Sequence, residues 1–81
     1  MNVKARFMYP NNGRVFDKDR AKTAGLICGK DYDVESINMG QSMTYIFLAG
    51  LDGAFNSVQF DFYEDGLPIN IYRDKRFNPY L

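Results

Sequence analysis

Residues 58–72, VQFDFYEDGLPINIY, constrain this chain more than any other stretch. Two runs that alternate apolar and polar residues flank Glu64-Asp65-Gly66. Val58, Phe60 and Phe62 share one face of the first run, with Gln59 and Asp61 on the other. Ile69 and Ile71 share a face of the second run, opposite Asn70 and Tyr72. A period of two in β-branched and aromatic residues predicts strands with one buried side. Asp-Gly supplies the positive φ that a tight antiparallel connection needs.

The rest of the chain extends this pattern. Val3, Ala5 and Phe7 alternate with Lys4, Arg6 and Met8, so residues 3–9 read as a first strand, ended by the turn chemistry of Pro10-Asn11-Asn12-Gly13. Residues 14–25 are polar, with weak helical character in 17–24, and read as a long loop with at most a single turn. Residues 26–37 restart the sheet. There Tyr32 and Val34 alternate with Asp31, Asp33 and Glu35, and Ile37 falls out of phase, which marks a bulge or strand end near Glu35-Ser36. After a turn at 38–41, residues 43–49 are apolar on both faces, Tyr45 and Phe47 opposite Ile46 and Leu48. Such a strand is central to a fold or covers a partner. The tail, residues 73–81, is expected to run extended. Short turns and one long early excursion predict an all-β fold, a small five-stranded, partly open barrel in one domain over residues 1–81.

Eighty-one residues bury one modest core, about 60% of the unfolded surface. The 16% aromatic content, seven Phe and six Tyr, offsets ordering entropy with large buried area per residue. The single cysteine, Cys28, excludes an internal disulfide framework and points to a reducing compartment. The start lacks the apolar core of a secretory leader, and the longest apolar run is too short to cross a bilayer. A cytoplasmic protein without membrane attachment is expected. Charge is zero overall and uneven along the chain. Residues 1–30 carry seven basic residues against Asp17 and Asp19, a net +5, and residues 31–65 carry seven carboxylates and no cation, a net −7. Blocks like these either steer partners by sign or neutralise each other by packing.

Ala5–Tyr9 as a strand, a long loop, then Leu26-x-x-Gly29-Lys30-x-Tyr32-x-Val34 resembles the opening of a Src-homology-three-type barrel. Residues 53–58, Gly-Ala-Phe-Asn-Ser-Val, resemble the short helical turn that leads into the last strand of such barrels. Gly29-Lys30-x-Tyr32-x-Val34 is also similar to small barrel proteins encoded by phages and prophages. The resemblance implies the fold and, for the phage type, an accessory protein of unknown or inhibitory role. It does not carry over proline-peptide recognition, because the tryptophan of that groove has no counterpart here and the basic residues 14–22 replace the tyrosine-rich loop.

For catalysis the inventory is thin. Histidine is absent, Ser36, Ser42 and Ser57 lack an evident activating partner, and Cys28 sits beside Ile27 and Gly29 like a structural thiol. Asp31, Asp33 and Glu35 project from one strand face about 7 Å apart, without the ligand pattern of a calcium loop. No enzyme activity, cofactor or metal is expected. The function expected is protein–protein interaction, as a phage accessory protein that binds and inhibits a host or defence protein. An acidic strip, Asp31, Asp33, Glu35 and Asp61, would supply sign complementarity, and Tyr45, Tyr63 and Tyr72 would supply contact area. The two-faced strand also admits a homodimer. The alternative is a nucleic-acid-binding barrel that uses Arg14, Lys18, Arg20 and Lys22.

Overall fold

The computed structural model describes residues 2–81. Its elements are β1 (Val3–Phe7), α1 (Val15–Thr23), β2 (Asp31–Met39), β3 (Thr44–Leu48), β4 (Phe55–Asn56), β5 (Phe60–Glu64) and β6 (Leu67–Ile69), with 3-10 turns at Ser57–Gln59 and Ile71–Arg73. The strands form one antiparallel sheet in the order β4-β3-β2-β1-β5-β6. β4 and β6 are its edges, and no ladder joins them among the described residues. The molecule is thus mostly β, as expected, but with six strands rather than five, one helix, and a sheet that stays open rather than closing into a barrel.

Strand β2 serves both halves of this sheet. Asp31–Asp33 pair with β1, and Val34–Met39 pair with β3. The register shifts between Val34 and Ser36, so Glu35 is the extra residue of a bulge and Ile37 regains the inner face. The inner face carries Val3, Ala5, Phe7, Val34, Ile46, Leu48, Phe55, Phe60 and Phe62, and Ala21 and Ile71 complete the buried core. Phe7 and Phe60 stack tilted with ring centroids 5.5 Å apart.

The hairpin β5–β6 follows its sequence signature. Glu64 pairs with Leu67 across Asp65 (φ 52°) and Gly66 (φ 81°), the doubly positive geometry of a two-residue turn. Its outer ends depart from the alternation. Val58 belongs to a 3-10 turn and is 45% exposed, whereas Gln59 is fully buried and donates from Nε2 to the Pro10 carbonyl. Ile71 likewise reaches the core from a 3-10 turn rather than from a strand.

Residues 14–25, expected as a loop, contain helix α1. The Asp17 carboxylate, buried in the first turn, accepts from the Arg14 backbone N–H at 2.9 Å and from Asn56 Nδ2 at 3.0 Å, which ties the helix to β4. Gly13 (φ 89°) makes room for it: a Cβ there would lie 2.9 Å from Asp17 Oδ2. The helix ends in a Schellman motif at Gly25 (φ 73°), where Leu26 N–H bonds the Ala21 carbonyl and Gly25 N–H bonds that of Lys22. Residues 26–30 are a turn, and the strand begins only at Asp31. The tail also differs from expectation. It folds back in turns, with Phe77 against the core and Arg76 bidentate to Glu64 at 2.7 Å.

Candidate binding surfaces

The acidic strip lies on the outer face of the sheet, and register decides its chemistry. Arg6 stands opposite both Asp31 and Asp61, and Lys4 stands opposite both Asp33 and Tyr63. Asp31 accepts from Arg6 Nε at 2.7 Å, and Asp33 forms an ion pair with Lys4. The Arg6 guanidinium also lies 4.3 Å from the Tyr63 ring centroid. Tyr9 donates its hydroxyl to Asp61 at 3.0 Å. The Arg6 hydrogen bond holds the Asp31 carboxyl below its ordinary value, and the bond to Asp61 holds the Tyr9 hydroxyl above its own. The structure therefore brings Asp31, Asp33, Asp61 and Tyr63 together, but around two cations. Glu35 sits on the bulge, exposed. Tyr45 lies on β3, opposite Asn38 and Asn56 and two strands away from Lys4 and Arg6, and Tyr72 lies in the second 3-10 turn, off the sheet.

Tyr72 instead helps to wall a cleft of about 510 Å³, with Met39 and Met43 from the ends of the β2–β3 connection and Val58 and Tyr80 from the loops. Three asparagines build it by the same device. Asn56 Oδ1 accepts from Val58 N–H (3.2 Å), Asn70 Oδ1 from Tyr72 N–H (3.0 Å) and Asn78 Oδ1 from Tyr80 N–H (2.8 Å). Each is an Asx turn, which bends the backbone and leaves the residue two positions on facing out. Those three residues are apolar or aromatic, and all three are exposed on the cleft. The Tyr72 hydroxyl lies 2.7 Å from Ser57 Oγ, and its carbonyl accepts from Asn78 Nδ2, so its ring is held in place. Strand alternation hid this cleft. The spacing Asn-Ser-Val, Asn-Ile-Tyr and Asn-Pro-Tyr is the signal that marks it.

The basic residues 14–22 are placed by α1. Lys18 and Lys22 lie four residues apart on one flank of the helix, Arg14 is its N-cap residue, and Arg20 lies apart, donating to the Ala54 carbonyl at 2.9 Å. None of the four makes an ion pair among the described residues. No three carboxylate or thiol groups converge on a common point among those residues, and no helix is long and apolar enough to cross a membrane.

A small, open, mostly antiparallel β domain with one helix and a wall of Asx turns is the class these features define. Along residues 2–81 the chain matches the family model described as bacteriophage T4 protein Y07B, and it belongs to that phage protein family. No curated protein and no solved structure matches it.

Proposed function

We propose that this phage protein is a non-enzymatic accessory factor that works in the host cytoplasm by gripping, and thereby inhibiting, a host or defence protein. The observation that carries this reading is the convergence of Val58, Tyr72 and Tyr80 on one cleft. Rigid aromatic rings bury area at low entropic cost, and methionines such as Met39 and Met43 adapt to a partner's shape. The occupant is an extended segment of the partner that carries a bulky apolar anchor, with Ser42 and Gln41 on the rim for its backbone. The acidic strip is a weaker grip than its sequence suggests, because Lys4 and Arg6 already engage Asp31 and Asp33.

The architecture supports kinship with the Src-homology-three type of barrel. One bulged strand is shared by two half-sheets, a 3-10 turn links β4 to β5, and β5 pairs with β1. In this arrangement α1 occupies the long loop after the first strand.

A photo-crosslinking residue in place of Tyr80, introduced during infection, tests the surface. One host protein should crosslink from position 80 and not from position 4 on the sheet face, and Val58→Asp should abolish it. Crosslinks to copies of this chain alone, or equal crosslinking from position 4, would overturn the reading.

A further inference from the structure

Another cavity, about 250 Å³, opens beside α1, between the end of β1, the Pro10-Asn11 turn, the helix and residues 26–28. Phe7 and Ala21, both buried, and Leu26, partly buried, give it apolar walls; Lys18, Lys22, Asn11 and Cys28 rim it. Lys18 and Lys22 are one helical turn apart, an axial step of about 6 Å, and Arg14 is the N-cap residue four positions before Lys18. The remaining helix carboxylates do not answer these cations. Asp17 is turned inward to Asn56, and Asp19 lines a different cleft with Arg20.

A row of cations at even spacing is matched by a ligand whose anions repeat, and the apolar cavity beside two of them is matched by a ligand that also offers a flat, weakly polar ring. We propose that this flank of α1 binds single-stranded nucleic acid, its phosphates along Arg14, Lys18 and Lys22 and one unstacked base in the cavity over Phe7, Ala21 and Leu26. Asn11 sits where its amide can meet the base edge. Paired strands keep their bases stacked and offer nothing to the cavity, which makes the preference for single strands a consequence of the geometry. This surface is separate from the Asx-turn cleft, so each can fail without the other.

Fluorescence anisotropy of a labelled oligothymidylate over a salt series, with the full chain, tests it. Three phosphate contacts predict a log–log salt slope of about −2. The double variant Lys18→Gln, Lys22→Gln should reduce that slope by about 1.4, while Lys75→Gln, remote from α1 in sequence and outside the cavity, leaves it unchanged. Cys28 reports on the cavity itself: its alkylation by iodoacetamide should slow in proportion to the fraction of protein bound. Absence of binding at low salt, an unchanged slope in the double variant, or unprotected Cys28 at saturation would each overturn the proposal. So would equal affinity for duplex DNA or for polyglutamate.

Discussion

On the sheet, Lys4 and Arg6 stand between two strands, with carboxylates set opposite them; at the N-cap of α1 and along it, Arg14, Lys18 and Lys22 follow one another without an ion pair among the described residues. Both regions draw on the same block of basic sequence. Antiparallel register brings distant residues face to face, so charges 25 and 29 positions apart meet on the sheet. A helix sorts its own neighbours by fours, and here Lys18 and Lys22 fall together. A chain of zero net charge thereby acquires one face whose charges are largely paired and one positive flank.

The largest effect that probes this contrast comes from the strand that touches both regions. Phe55→Ala empties a fully buried ring position on β4, beside the Asn56 that holds Asp17, and should cost about 3–5 kcal/mol in urea unfolding. Far-ultraviolet dichroism and tyrosine fluorescence should report one shared transition. Separate transitions would mean that helix and sheet are independent and that the contrast is one between two modules.

Asp17→Ala acts on the helix cap and its tie to β4. It leaves the Arg14 N–H and the Asn56 amide without their acceptor and should cost about 1–3 kcal/mol, with loss of amide-exchange protection in residues 15–23 before the strands.

The tail supplies a pH test. Hydrogen bonds from Arg76 hold both Glu64 and Asp74 below the ordinary values of 4.5 and 3.8. Carboxyls depressed by folding bind fewer protons folded than unfolded, so their stabilisation is present above the ordinary values and lost as pH falls through the lower, folded ones. Stability of the native chain should therefore drop on acidification below about pH 4.5, and Arg76→Gln should flatten that drop. An equally steep acid slope in the variant would remove Arg76 as its cause.

The smallest effect belongs to the paired charges of the sheet face. Asp33→Asn should cost at most about 1 kcal/mol, because the Lys4 pair is exposed and screened. A double-mutant cycle on Lys4 and Asp33 measures it directly. A coupling well above that figure would show the sheet face to be a structural brace rather than a screened pair.

The hairpin turn at Asp65-Gly66, the bulge at Glu35 and the two-sided character of β3 were all readable, because each is written in local alternation or turn chemistry. Helix α1 was not. Its inner stripe consists of Asp17, Ala21 and Ala24, too little apolar surface to register as amphipathic, and its anchor is a hydrogen bond to a residue 39 positions away. Only weak helical character in residues 17–24 was visible. The cleft was obscured for another reason: Val58 and Ile71 keep the phase of their neighbouring strands, while Asn56 and Asn70 bend the backbone out of those strands. The cavity by Lys18 depended on the helix and was lost with it.

The parity of β2 has a consequence for how this segment can vary. Tyr32 and Val34 point inward, and so do Ile37 and Met39, only because Glu35 adds an odd step between the pairs. Swapping Glu35 for another residue leaves that count intact. Excising it would turn Ile37 and Met39 toward water and send Ser36 and Asn38 under β3, so position 35 is free in identity and rigid in number.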